Sequence, residues 1–469
     1  MVGSPTRAAP ATRRTALFLV AVLLGALHVA LASPAQALTG ETRLHDPSVM
    51  KVDSCYYAFS TGFAGDAQNP NGQILRYRSC GSATGPWTKL GTVFDETPAW
   101  VTQRIGRSNF GNVWSPEIQY FNGRYHLYYS VARSTPSWAA VLGVATATDI
   151  EGPYTDQGFV TDVEFPIDPT VNVGGDGRMY ITWGSFGGIY QHVLDPATGK
   201  LSTTDHNLWH LAADMEGVTI VQNGGYYYLF GSRGPCCNGV KSNYWTVVGR
   251  STSINGPYVD MAGVPLTSKG GTTVLTGSWP KTSAGGGDAY TDGPDTYLAY
   301  HYYDADNGGR ETLDIRQVTF AGGWPVLGTP LGETSFHLLN QYSRMCADVW
   351  NLSTADGAPV KQGFCNSGAN QRWSLTPAGG NMRIVNQNSG KCLEISGSST
   401  AARAPAVQAP CDGGANQQWT RTATYGAYMT FKNVNSGMCL EVYGNSTTNG
   451  AALNQWPCNG GPNQQWLLG

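Results

Sequence analysis

Charged side chains are scarce: they make up 13% of the 469 residues, about half the roughly 25% of an average soluble chain. With a net charge of −3 there is no basic field to hold a polyanion, which excludes nucleic acid as a partner. No Cys/His spacing of a zinc site is present. After the first 32 residues no apolar run is long enough to cross a bilayer, so no membrane partner is expected. Between 38 and 331 no run has helical periodicity, which argues against a helical or α/β fold. In place of these the chain has 60 glycines, 26 prolines and 24 tyrosines, a composition suited to a turn-rich β-protein.

The N-terminus is different in kind. Arg7, Arg13 and Arg14 precede an apolar run from Thr15 to about Ala32, and Ala35-Gln36-Ala37 follows. That order is the pattern of a secretory signal peptide over 1–37, with a mature chain starting near Leu38 and a secreted, extracellular protein. The alternative is an uncleaved anchor, since the apolar run is nearly long enough to span. In an exported chain the ten cysteines should mostly be paired. The length is too great for one compact core and implies two or three domains.

The last third is a threefold repeat. Cys346-Ala347-Asp348, Cys392-Leu393-Glu394 and Cys439-Leu440-Glu441 open three units that close on Gln371-Arg372-Trp373, Gln417-Gln418-Trp419 and Gln464-Gln465-Trp466. In each unit a second cysteine follows the first by 19 residues. This regularity predicts disulfides Cys346–Cys365, Cys392–Cys411 and Cys439–Cys458, each worth about 3 kcal/mol in a chain-entropy estimate. Units this short cannot bury a core alone, so three should share one. Residues 335–469 resemble the ricin-type β-trefoil, the family 13 carbohydrate-binding module. The resemblance implies a sugar pocket in each unit, built from the acid after the first Cys, an aromatic two residues before the second, and the Asn before the closing Gln. A carboxylate accepts from sugar hydroxyls while an aromatic face covers the C–H face of the ring. Unit three keeps all three functions in Glu441, Trp456 and Asn463. Unit one has Asp348 and Asn370 but Gly363 at the stacking position, with Phe364 beside it. Unit two has Glu394 and Asn416 with Ala409, and is expected to be structural. The three closing tryptophans are expected in the core.

Between Leu38 and Leu331 a looser phrase recurs: Cys55–Ser60, Tyr125–Ser130, Tyr180–Ser185, Tyr227–Ser232 and Tyr297–His301. Gly-Pro-aromatic turns follow several copies. Five short strand phrases with Gly/Pro punctuation predict a five-bladed β-propeller over 38–331, so the whole chain is expected to be all-β, a propeller followed by a β-trefoil. Upstream of four phrases lies a carboxyl residue: Asp46, Glu117, Asp168 and Glu216. If those upstream segments are the innermost strands, the acids stand at equivalent positions facing one axis, where mutual repulsion and lost hydration push pKa values apart.

With His45-Asp46-Pro47, Trp114-Ser115-Pro116-Glu117, Ile167-Asp168-Pro169, Gly184-Ser185-Phe186, Cys236-Cys237 and His301-Tyr302-Tyr303-Asp304, this region resembles glycoside hydrolase family 43, in particular its endo-1,5-α-L-arabinanases. The resemblance implies an inverting mechanism with Asp46 as general base, Glu216 as general acid and Asp168 tuning Glu216 and orienting substrate. It implies that Trp114, Ser185 and Phe186 line the sugar cleft, and that Gly143 lets backbone approach the substrate. Glu117 is read as structural or subsite-lining. His301 is implied to touch a hydrated calcium or other ion in the channel, with a buried hydrogen-bonding histidine as the alternative. Similar sequences imply an adjacent disulfide, Cys236–Cys237, which leaves Cys55 to Cys80. Glu216-Gly217 departs from the common Glu-Ala.

The function so implied is hydrolysis of arabinan, with plant cell-wall polysaccharide as the partner and a monomer as the working unit. An exo-acting α-L-arabinofuranosidase or β-xylosidase would use the same acids. A catalytically inactive sugar-binding protein is the alternative from another class, and the retention of Asp46, Asp168 and Glu216 argues against it. Each module is expected to have its own core, with the trefoil acting as a tether.

Overall fold

The computed structural model describes residues 38–63, 69, 71–105, 113–133 and 139–469, besides residues 1 and 3. The expected signal peptide over 1–37 lies, but for those two positions, outside the described residues. Among the described residues each Tyr-rich phrase is the second strand of a four-stranded antiparallel blade, because its alternate side chains fill the spaces between blades. Blade one runs Ser48–Val52, Cys55–Ser60, Leu75–Cys80 and Thr88–Thr92, and blade two Trp114–Phe121, Arg124–Arg133, Ala139–Ala147 and Thr155–Thr161. Blade three comprises Thr170–Val173, Met179–Ser185, Gly188–Asp195 and Lys200–Leu201, with Trp209–Ala212 as an added partner. Glu216–Asn223, Tyr226–Arg233, Trp245–Ser251 and Thr272–Thr276 form blade four, and Lys281–Asp292, Asp295–Asp304, Arg310–Ala321 and Trp324–Pro330 form blade five. The Gly-Pro-aromatic turns seat Trp87, Tyr154 and Tyr258 in the interior. Each bonds the carbonyl four residues before it, Ala83, Ile150 and Ile254.

The first strands surround the axis, and polar bonds join them in a closed ring. Ser48 Oγ donates to Glu117 Oε2 (3.2 Å) and to Asp288 Oδ2 (2.9 Å). The Val171 amide donates to Glu117 Oε1 (2.9 Å), the Gly217 amide to Asp168 Oδ2 (2.9 Å), and Thr219 Oγ1 to Asp288 Oδ1 (3.3 Å).

This ring corrects the expected register of the acids. One residue per blade enters its inner strand with positive φ: Asp46 (49°), Ser115 (42°), Asp168 (54°), Gly217 (55°) and Gly286 (58°). Asp and Gly are among the residues that tolerate this left-handed region best. Asp46 and Asp168 therefore share a level, Glu216 stands one residue earlier, and Glu117 stands two residues later, level with Ser48, Thr170, Thr219 and Asp288. Counting from the closing serine missed this because bulges interrupt the pairing between 114 and 117 and between 216 and 219. A second correction is the helix Ala99–Ile105, which buries Val101 and Ile105. Two turns are too few to register as a helical period.

The trefoil forms one twelve-stranded sheet around a core that includes Trp373, Trp419 and Trp466, all fully buried. Their indole N–H groups bond the carbonyls of Ala347 (3.0 Å), Leu393 (3.1 Å) and Leu440 (3.2 Å), one equivalent position per repeat. All five expected disulfides are present, and Cys55 lies directly opposite Cys80 across a strand pair of blade one.

The trefoil does not stand apart. One apolar cluster unites Tyr228, Phe230, Val274, Val318 and Leu327 of the propeller with Leu339, Ala427, Tyr428 and Leu467 of the trefoil. Arg316 donates to the Leu468 carbonyl (2.9 Å), and Gly426 accepts from the Leu327 amide. Half-buried Lys281 holds both Asp314 (2.7 Å) and Glu333 of the connecting segment (2.6 Å). Each module has its own core, as expected, and in addition the two share a third.

Candidate active site

Asp46, Asp168 and Glu216 converge on one cleft of about 530 Å³ at the mouth of the channel. Asp46 is held hardest. Its Oδ2 accepts from His45 Nδ1 (2.7 Å), Thr61 Oγ1 (2.8 Å) and Ser115 Oγ (3.2 Å). Burial alone would favour its neutral form, but the His45 charge and hydrogen bond outweigh it and hold the carboxyl well below the usual range. By the same pairing His45, which burial alone would discharge, stays protonated above its ordinary range. Oδ1 is the oxygen left for a water molecule.

Glu216 has the opposite environment. Ser185 Oγ and Tyr244 Oη reach its two oxygens, each at 3.2 Å. Burial, reinforced by the Asp46 charge, pushes its carboxyl up to about 7. Asp168 shares the cleft with both and is raised well above the carboxylate range by burial and then by Glu216 and Asp46. Its bond to the Gly217 amide fixes the backbone that carries Glu216. Two carboxyl groups driven in opposite directions in one cleft can accept one proton and donate another in the same step.

The other expected site residues divide. Trp114, Ser185 and Phe186 line the cleft. Gly143 does not: it lies inside blade two, where a Cβ would come within 2.6 Å of the Tyr129 ring and 2.7 Å of Trp100. This corrects its expected role, since its small size admits packed aromatics, not a sugar. Glu117 sits below the cleft, where burial and the charge of Asp288 raise its pKa. His301 is fully buried and stacks on His45 with ring centroids 4.0 Å apart. Its Nδ1 accepts from the Asp46 amide at 3.2 Å, while Nε2 is buried with no hydrogen-bond partner among the described residues.

Residues not anticipated complete the cleft. Thr61, Ser115 and Tyr244 grip the carboxylates, and Phe63, Phe165, Glu311 and the Cys236–Cys237 disulfide line its walls. Ser115 had a signal, because Ser115-Pro116 repeats the pattern of Asp46-Pro47 and Asp168-Pro169. Tyr244 had none. The Cys237 amide donates to Tyr303 Oη (2.7 Å), which lies 3.2 Å from His45 Nε2, so the disulfide turn is tied to Asp46 through two side chains.

In the trefoil the three carboxylates are held alike. Asp348 accepts from Asn370 (2.8 Å) and Gln371 (2.7 Å), Glu394 from Asn416 (3.1 Å) and Gln417 (3.0 Å), and Glu441 from Asn463 (3.0 Å) and Gln464 (3.2 Å). What separates the repeats is the aromatic wall. Glu441, Trp456 and Asn463 line a pocket of about 260 Å³ together with Tyr443 and Arg403. Tyr443 follows its acid by two residues, as Trp350 follows Asp348, whereas Ser396 follows Glu394. Unit one thus has an aromatic that the sequence reading missed.

Comparison with known proteins agrees with this geometry. Residues 39–325 match the model of glycosyl hydrolases family 43, and residues 334–467 that of the ricin-type β-trefoil lectin domain. The extracellular endo-α-(1→5)-L-arabinanase 1 of Bacillus subtilis is 34% identical over 325 residues, covering 66% of this chain and 96% of that protein. Among solved structures, a family 43 endo-arabinanase from Bacillus licheniformis is 32% identical with a TM-score of 0.55, covering 61% of this chain and 98% of its own. An exo-1,5-α-L-arabinanase from a bovine ruminal metagenomic library is 30% identical with a TM-score of 0.53, covering 62% and 99%. A propeller cleft with divergent carboxyl groups and the matched family model over most of the chain lead to one conclusion: this protein is a glycoside hydrolase that belongs to family 43 and carries a C-terminal ricin-type β-trefoil lectin domain.

Proposed function

We propose that this enzyme hydrolyses α-1,5-L-arabinofuranosyl linkages within arabinan, with inversion at the anomeric carbon. The observation that carries the reading is the contrast between Asp46, held ionised, and Glu216, pushed up to about 7, in a single cleft. A water molecule gives its proton to Asp46 Oδ1 as its oxygen attacks the anomeric carbon. Glu216 gives its proton to the departing glycosidic oxygen, and Asp168 keeps Glu216 in place through the Gly217 amide. The internal-cleavage reading is favoured by a second groove of about 910 Å³ that shares Phe63 and Glu311 with the cleft and continues it past Arg43 and Lys89. The similar exo-acting enzyme keeps chain-end cleavage as the second reading. Linear arabinan decides between them: mixed oligosaccharides early in the reaction support internal cleavage, and a single short product overturns it. Proton NMR of the first-formed anomer tests inversion.

The trefoil, in this reading, holds the enzyme on plant cell-wall polysaccharide after secretion, and the enzyme works as a monomer. The channel is proposed to take a hydrated calcium ion at His301. The orphaned, buried Nε2 fits a donor to the water shell of such an ion, whose other ligands would be oxygens. Because Nδ1 accepts from the Asp46 amide, Nε2 carries the ring proton, so His301 would touch the hydrated ion through a water oxygen that accepts from Nε2. A bound cation supplies fixed positive charge beside the base. Chelation should lower the melting temperature and calcium should restore it; an unchanged melting temperature sinks this part of the proposal.

A further inference from the structure

One residue beside the third trefoil pocket departs from the threefold pattern. The loop position occupied by Gly357 in repeat one and Gly450 in repeat three is Arg403 in repeat two. All three have positive φ, 74°, 86° and 68°. Glycine adopts this conformation freely and arginine does so only against a steric penalty. The geometry of the position explains where the side chain goes. A Cβ on Gly450 would meet the ring of Trp350 in the next repeat at 3.1 Å. Arg403 occupies the corresponding place one repeat earlier, and its guanidinium lies over Tyr443 (5.7 Å) and Trp456 (5.1 Å). It lines the pocket with the buried Glu441 and Asn463. Among the described residues the guanidinium has no ion pair and no hydrogen bond, so its donors are free to face a ligand.

We propose that the third trefoil pocket selects a sugar bearing a carboxylate, a uronic acid, with Arg403 as the residue that recognises the acid group. The proposal rests on the reading of this pocket as a sugar site. Trp456 and Tyr443 provide the flat apolar surfaces for a ring, Glu441 accepts from its hydroxyls, and the planar guanidinium pairs with the carboxylate through two parallel N–H bonds. The corresponding loop positions of repeats one and three are glycines, Gly357 and Gly450, so the other two pockets do not share this selectivity. The enzyme is thereby directed to acidic regions of a polysaccharide that its propeller does not cleave.

The test uses the full chain carrying Glu216→Gln, so that no probe is hydrolysed. Binding is measured by calorimetry to oligogalacturonate, to its methyl ester, to linear arabino-oligosaccharide and to a sulfated galactan oligosaccharide. The acid should bind about tenfold or more tightly than its ester, the scale of a charge-assisted bond. Arg403→Gly, which installs the residue of the other two repeats and relieves the backbone, should abolish that difference while leaving ester binding intact. Equal binding of acid and ester, or a preference that survives Arg403→Gly, overturns the proposal. Sulfated sugar binding as tightly as the uronate overturns the commitment to a carboxylate. Trp456→Ala should remove binding of acid and ester alike; if it leaves both unchanged, the reading of the pocket as a sugar site is what fails.

Discussion

At the scale of single residues, the cleft drives its three carboxyl groups apart, Asp46 downward and Asp168 and Glu216 upward, and the neighbours of each explain why. Glu216 must be protonated to act as an acid, so activity should fall as pH rises through about 7. Tyr244 donates to Glu216 and so favours its ionised form. Removing that bond in Tyr244→Phe should move the alkaline limb of the pH–rate profile upward, and a downward shift would contradict the assignment. Glu216→Gln should abolish hydrolysis of arabinan but spare aryl glycosides with good leaving groups, which need little protonation. Asp46→Asn should disable both substrates, because water must be activated in either case. Initial rates on a nitrophenyl arabinofuranoside and on arabinan separate the two roles; equal losses for Glu216→Gln on both would count against it as the acid.

The inner strands carry a second acidic pair, buried Glu117 and half-buried Asp288, bridged by Ser48 and locked by amides of neighbouring blades. Burial raises Asp288 to about 6. The folded chain therefore retains a proton that the unfolded chain releases near the ordinary carboxylate pKa of about 4. Its contribution to stability is fully present below that value and falls as pH rises through about 6, by roughly 3 kcal/mol. The melting temperature should decline between about pH 4 and about 6 and level off above that, and Asp288→Asn should flatten the decline. Calorimetric scans across that range check it, and a parallel decline in the variant would show that other groups are responsible. Strand by strand, then, the ring that aligns the catalytic residues is held together by groups that are themselves sensitive to pH.

For the molecule as a whole, the shared apolar cluster changes what removal of the trefoil would mean. Cutting the chain before Phe336 exposes Tyr228, Val274 and Leu327 and strips Arg316 of its carbonyl partner. The shortened propeller should melt lower and aggregate, so its activity would not isolate the contribution of sugar binding. Trp456→Ala is the cleaner change. It should leave the rate on soluble arabino-oligosaccharides intact and lower activity on insoluble cell wall, and equal rates on both would remove the tether role. Gly426 tests the junction directly, since a Cβ there would come within 2.3 Å of the Val274 carbonyl and its φ is 56°. Gly426→Val should cost several kcal/mol, on the scale of a backbone clash combined with an unfavourable φ. A melting temperature equal to that of the wild type would show that the junction yields.

The repeats, the three trefoil disulfides, the blade count and the paired Asp46-Pro47 and Asp168-Pro169 could be read from the order of residues, whereas Cys55–Cys80, Cys236–Cys237 and the role of Glu216 were implied only by resemblance to the family. Each of the former is carried by local chemistry that recurs at a fixed interval: a cysteine 19 residues after another, a Tyr-rich strand, an Asp before a proline. Recurrence makes such features visible because every copy must satisfy the same packing. Tyr244, the level of Glu117, the burial of Gly143 and the common core of the two modules could not be read in this way. They depend on side chains brought together from blades far apart in the chain, and on bulges that shift a strand by one or two residues. Arg403 lies between these cases. Its departure from the glycines of the other repeats was written in the sequence, but only the tertiary structure shows that the side chain falls onto the aromatic wall of the next repeat, because the threefold packing places that loop over its neighbour's pocket.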